Sequence, residues 1–152
     1  MVLNTYSGRK NFISKIYIPD AMPENKIVLS GIVTHGLGDG TFFMSMHQYR
    51  KEIQEKLGFD AYPGTLNLKI ETSQREKLNS ISPIRLQGFQ SGKKEFGGVS
   101  CYKAKIKNAD GALIIPDFNK HKEDVIEFIS ALHARSELRL KDGDKITVEL
   151  LN

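Results

Sequence analysis

The 152 residues contain one cysteine, Cys101. A lone thiol excludes an intrachain disulfide and a thiolate cluster, so any metal would be held by oxygen or histidine. Long apolar runs are also missing: none approaches the roughly 18 to 20 residues that span a bilayer. The opening MVLNTYSGRKNF has no apolar stretch of the secretory kind. These absences lead to the expectation of a cytoplasmic protein with no membrane partner. No basic tract interleaved with aromatics is present, and no zinc-finger or basic-zipper spacing, so nucleic acid is not an expected partner. Internal repeats and low-complexity segments are absent as well.

What remains is the composition of a globular protein, at a length suited to one domain with its own core. Lysine and arginine number 22 against 18 acidic residues, a net charge of +4 with histidine neutral. The lysines are spread along the chain, with short concentrations at Lys93-Lys94 and in KAKIK from Lys103 to Lys107. Such an excess suits a polyphosphate ligand, a nucleic-acid surface, or solubility alone.

Residues 1–26 are polar and basic, broken by Pro19 and Pro23, and are expected to form an N-terminal arm or edge strand. IVLSGIVTH, Ile27 to His35, is rich in β-branched residues and reads as a strand. TFFMSM is expected to add a short strand. SMHQYRKEIQEKLG reads as a helix with Ser45 as its cap, Met46, Tyr49, Ile53 and Leu57 on one face, and Gly58 as the stop. Residues 72–83 are polar and loop-like. IRLQGF is a strand, SGKKEFGG a turn, and VSCYKAKI and ALII are strands joined across NADG, where Asp110-Gly111 is a hairpin signal. A second helix is expected over KEDVIEFISALHAR, burying Val125, Ile126, Ile129 and Leu132 and leaving Glu127 off the stripe. LRLKDGDKITVELL turns at Asp142-Gly143 into a last strand alternating at Ile146, Val148 and Leu150. Many short strands with two helices that do not alternate with them argue for a small β-barrel with helical insertions, and against a doubly wound parallel sheet.

Two stretches have chemical content. In GLGDGTFF, glycines stand at 36, 38 and 40. Their spacing fits neither the dinucleotide fingerprint nor the Walker A pattern, so the segment is either a backbone cradle for phosphate or a turn between strands. In PGTLNLKI, Leu66, Leu68 and Ile70 point one way while Thr65, Asn67 and Lys69 point the other. A hydroxyl and an amide oxygen then stand roughly 7 Å apart along one strand face. That pair suits a hard cation shared with phosphate oxygens, as Mg²⁺ prefers. A half-exposed strand with a polar face is the alternative.

In their order and spacing, GIVTHGLGDGTFF, LGFDAYPGTLNLKI, DGALIIP, VIEFIS and LRLKDGDKITVELL resemble the archaeal CTP-dependent riboflavin kinase family. The similarity runs from about Ile27 to the C-terminus, and its most specific parts are LGF-x-x-x-PGTLNL and the GLG-acidic-G loop. The resemblance implies a mainly β, six-stranded cradle-loop barrel spanning residues 27–152. It implies transfer of the γ-phosphoryl of CTP to the 5′-hydroxyl of riboflavin, giving FMN and CDP. It places Mg²⁺ on Thr65 and Asn67, the pair found by strand alternation. It assigns nucleotide contacts to Leu37, Gly38, Asp39, Gly40, Thr41 and Phe42, and to Leu132, His133, Ala134 and Arg135. Flavin contacts fall on Asn119 and Glu127, and Glu127 is also the candidate to receive or orient the hydroxyl proton.

Asn119 stands where the family usually has Thr, and Ala131 and Ala134 where it tends to have Pro and Leu. His35 replaces an expected small residue and reads as a loop or packing residue. Two rival readings remain: a DNA-binding β-barrel regulator, which would give Thr65 and Asn67 no task, and a member that binds flavin or nucleotide without turnover.

Overall fold

A computed structural model of the chain describes residues 26–36, 46–118 and 124–151. Its centre is a closed antiparallel barrel of six strands: β1 (Ile27–Thr34), β2 (Leu66–Lys69), β6 (Val99–Ile106), β7 (Ala109–Pro116), β8 (Val125–Ser130) and β9 (Lys145–Leu150). Around the barrel the order is β9-β1-β2-β8-β7-β6, and β6 closes it by pairing Ala104 to Ile106 with β9. A short strand, β3 (Ile84–Leu86), occupies the other half of the same β6 edge. Beside it, β4 (Phe89–Ser91) and β5 (Lys94–Phe96) form a separate hairpin. SGKKEFGG is therefore half strand, not wholly turn.

Alternation along each strand fills the barrel. Leu29 and Val33 of β1, Leu66 and Leu68 of β2, Leu113 of β7, Ile126 and Phe128 of β8, and Ile146, Val148 and Leu150 of β9 are buried together. Each such side chain contributes about 1.5–3 kcal/mol relative to exposure. A second cluster covers the outside of β6, β7 and β8. There α1 (His47–Leu57) presents Tyr49, Ile53 and Leu57 to Leu86, Val99, Cys101, Ala112, Ile114 and Ile129. Met46 packs on this cluster and occupies the helix cap position without a side-chain cap bond, while Gly58 ends the helix at φ 86°. The left-handed conformation there is one that glycine adopts without a steric penalty. Burial pushes the Cys101 thiol up to about 12.

Several expectations are corrected. The second helix is replaced by β8, followed only by the four-residue α3 (Ala134–Glu137). Val125 to Ser130 pair with β2 on one side and β7 on the other and are covered on both faces, so the apolar run shows no alternation. A run of that kind cannot be told from a helical stripe by period alone. Leu132, expected in the stripe, is exposed. The β6–β7 turn lies at Lys107–Asn108, with Ile106 opposite Ala109, and Asp110-Gly111 sits within β7. A Cβ at residue 111 would meet the Ile129 carbonyl and the Phe128 ring, so this glycine serves a close backbone crossing. Residues 72–80 are not loop but the short helix α2 (Thr72–Arg75) and a 3₁₀ turn, Glu76–Ser80. Gln74 Oε1 accepts from Ser30 N–H at 3.0 Å and Lys77 Nζ donates to Val28 O at 3.0 Å. They satisfy β1 where the shorter β2 has ended. Residues 1–25, with Pro19 and Pro23, lie outside the described residues, as do Ser45 and most of TFFMSM.

Candidate active site

The Pro63-Gly64 turn delivers the chain into β2 with Leu66 and Leu68 inward, which places Thr65 and Asn67 on the outer face. The register sets Asn67 between Thr34 of β1 and Glu127 of β8. Thr65 Oγ1 donates to Glu127 Oε1 at 2.8 Å. Glu127 is only 5% exposed, a cost its hydrogen bonding must offset. Among the described residues, two buried side-chain oxygens have no hydrogen-bond partner, Asn67 Oδ1 and Asp124 Oδ1. An unpaired buried carbonyl oxygen is uncommon, and a bound ion or ordered water is the usual explanation. Gly36 closes over this atom: a Cβ at residue 36 would lie 2.5 Å from Asn67 Oδ1.

The donor set fits a hard cation. A hydroxyl and an orphaned amide oxygen on one strand face, with a carboxylate across the ladder, are oxygen ligands of the kind Mg²⁺ takes alongside substrate phosphate. Among the described residues there is no group of three His, Cys, Asp or Glu that would form an all-protein cage. An ion shared with a ligand suits these residues better than a permanently held one.

At the rim beyond Thr34, three segments meet. Arg135 Nη2 donates to Thr34 O at 3.2 Å and to Asp142 Oδ1 at 2.7 Å, and His35 Nδ1 lies 2.8 Å from Asp142 Oδ2. Hydrogen bonding from His35, then from Arg135, holds the Asp142 carboxyl below the usual carboxylate range. His35, expected in a packing or loop role, is an exposed partner of Asp142. The His133 ring stacks on Tyr62, centroids 4.8 Å apart, and its Nδ1 lies 2.8 Å from Ser136 Oγ. Tyr62 N–H in turn donates to Ser130 O at 2.8 Å.

The structure thus brings Thr65, Asn67 and Glu127 together and sets Arg135 against Thr34 of the neighbouring β1. Leu132 and His133 are exposed, whereas Ala134 is buried in the barrel cluster and offers only its backbone. Leu37, Gly38, Asp39, Gly40, Thr41, Phe42 and Asn119 lie outside the described residues. Sequence reasoning missed Tyr62 and Asp142. The first carries no motif, and the second was visible only as a turn residue.

Residues 33–150 match the CTP-dep_RFKase family model, described as a domain of unknown function, DUF120. The chain is 44% identical over 128 residues to the riboflavin kinase of Pyrobaculum aerophilum, covering 82% of this chain and 61% of that protein. It is 39% identical over 131 residues to that of Archaeoglobus fulgidus, covering 84% and 56%. It is 39% identical over 125 residues to that of Ignicoccus hospitalis, covering 80% and 70%. The chain thus spans about 60% of the length of the first of these relatives. No helix among the described residues is long and apolar enough to cross a membrane. The barrel and the match over most of its length agree: the chain belongs to the CTP-dependent riboflavin kinase family.

Proposed function

We propose that this chain is a riboflavin kinase, a phosphotransferase that takes the γ-phosphoryl group of CTP and passes it to the 5′-hydroxyl of riboflavin, releasing FMN and CDP. The catalytic unit is the barrel domain, residues 27–152, with residues 1–26 as an arm or edge strand. The observation that carries the reading is the orphaned Asn67 Oδ1, covered by Gly36 and flanked by the Thr65–Glu127 hydrogen bond. Riboflavin kinase as the name of several relatives supports the substrate. The family name supports CTP as the donor.

Phosphoryl transfer asks a protein mainly to position its reactants and to neutralise charge. Thr65 and Asn67 would hold Mg²⁺, which supplies positive charge to the phosphate oxygens. Residues 37–42, Leu132, His133 and the backbone at Ala134 line the nucleotide, and Arg135 adds a fixed cation. Asn119 and Glu127 hold the flavin. The 5′-oxygen forms a bond to the γ-phosphorus as the bond to the bridging oxygen of CDP breaks, and Glu127 orients the hydroxyl and takes its proton.

The test is chromatographic detection of FMN after incubation with riboflavin and Mg²⁺, comparing CTP, ATP and no nucleotide. FMN formed chiefly with CTP is expected. Folded protein that forms no FMN with any nucleotide would overturn the reading.

A further inference from the structure

Building on the kinase reading, we infer that Asp142 is a positioning residue for the nucleotide: it touches no substrate, but holds the Arg135 guanidinium on the rim that carries Asn67. Asp142 comes from a turn fixed to β1 in both directions. Gly143 N–H donates to Val33 O at 2.8 Å, and Val33 N–H donates to Asp144 O at 2.8 Å. Within the turn, Lys141 N–H donates to Asp144 Oδ2 at 2.9 Å. The carboxylate is thus presented from a rigid base. Arg135 by contrast stands on the four-residue α3, at the end of a long side chain with many rotamers.

Asp142 Oδ1 takes Arg135 Nη2 at 2.7 Å, while the other contact of that nitrogen, to Thr34 O, is longer at 3.2 Å. Thr34 is the register partner of Asn67. The carboxylate therefore fixes a positive charge one strand away from the orphaned Asn67 Oδ1. Since a single nitrogen makes both contacts, the rest of the planar fork is uncommitted among the described residues and suits phosphate oxygens. Asp142 Oδ2 also binds His35, next to Gly36, so one side chain ties the entry of the glycine segment to Arg135. The pair is half exposed, so its worth lies in geometry rather than in stability. Without Asp142, ordering of the guanidinium would be deferred to nucleotide binding, an effect of about threefold to tenfold in affinity.

The experiment titrates CTP with Mg²⁺ into wild type, Asp142→Ala and Asp142→Asn by calorimetry, with steady-state kinetics in both substrates and a thermal midpoint for each variant. Asp142→Ala is expected to raise Kd and KM for CTP about threefold to tenfold, leaving KM for riboflavin and the midpoint unchanged. Asp142→Asn keeps an oxygen that accepts from Arg135 and is expected to recover most of the loss. Unchanged CTP affinity in Asp142→Ala would overturn the inference, as would equal losses for both substrates with a lowered midpoint. Wild type that binds CTP but forms no FMN would sink the kinase reading alone, because the affinity comparison still decides the role of Asp142. Wild type that does not bind CTP would overturn both.

Discussion

Glu52 and Glu127 are almost equally buried, at 7% and 5% exposure, and differ in what stands beside them. Glu52, on α1, receives the Gln87 N–H on both oxygens at 3.1 Å and the Lys56 ammonium at 2.9 Å. Lys56 continues to Arg85 O at 2.7 Å, so the charge is neutralised and β3 is tied to the helix. Glu127 sits mid-strand, accepts from the Thr65 hydroxyl, and stands beside an amide oxygen that has no partner among the described residues. Burial alone therefore says little about function. A carboxylate paired with an ammonium and a backbone N–H ties a helix to a strand, whereas one set beside an unsatisfied acceptor marks a candidate site.

The widest separation between the two regions is expected from Asn67→Ala, which removes the orphaned oxygen. Mg²⁺-dependent FMN formation should fall by about 10²–10³-fold while the circular dichroism spectrum and melting midpoint stay near wild type. Full turnover in that variant would dissolve the contrast, since Asn67 would then be a polar strand residue only. Gly36→Ala attacks the same atom from the other side: the added methyl must push the Asn67 side chain aside. A loss of about 10²-fold is expected, because ångström displacements of a positioning group have that scale.

Glu52→Ala should behave in the opposite way. It leaves the Gln87 N–H and the Lys56 ammonium without their partner, at a cost of about 1–3 kcal/mol in denaturant unfolding. Turnover per folded molecule should be unaltered; a selective loss of kcat would mean that the α1 side also serves the chemistry. The smallest effect concerns Asp117, whose carboxyl is held below the usual range chiefly by its two hydrogen bonds from Arg85, at 2.8 and 2.9 Å. A depressed carboxyl stabilises the fold above its unfolded-state value, and the gain is lost as pH falls through the folded value. Arg85→Met should therefore be slightly less stable than wild type at neutral pH and converge with it in acid. A gap independent of pH would assign the loss to packing. The pair is about half exposed, which keeps the effect small.

The sequence made β2 and β9 legible because each is half-buried, and burial on one face leaves a two-residue period in Leu66 and Leu68 and in Ile146, Val148 and Leu150. The same alternation exposed Thr65 and Asn67 as a pair. β8 was illegible for the converse reason: neighbours cover both its faces and erase the period. Glycine misled once, since Asp110-Gly111 looks like a hairpin turn but answers to the Phe128 ring and the Ile129 carbonyl crossing it. Asp142 could not be assigned its partners: His35 stands 107 residues away, and Arg135, seven residues away, is linked to it by no local pattern. Short-range periodicity thus located the candidate metal pair, whereas the rim that binds Arg135 exists only where the turn before β9 docks on β1.

The sealing of Cys101 has a practical side. Fully buried among the side chains beneath α1, with its thiol pushed up to about 12, the chain's one cysteine should be almost inert to maleimides at neutral pH. The native protein is thus a ready-made blank for site-specific labelling. A fluorophore on a cysteine introduced at exposed Phe118 would report from the threshold of the segment that leads to Asn119 without first deleting a native thiol.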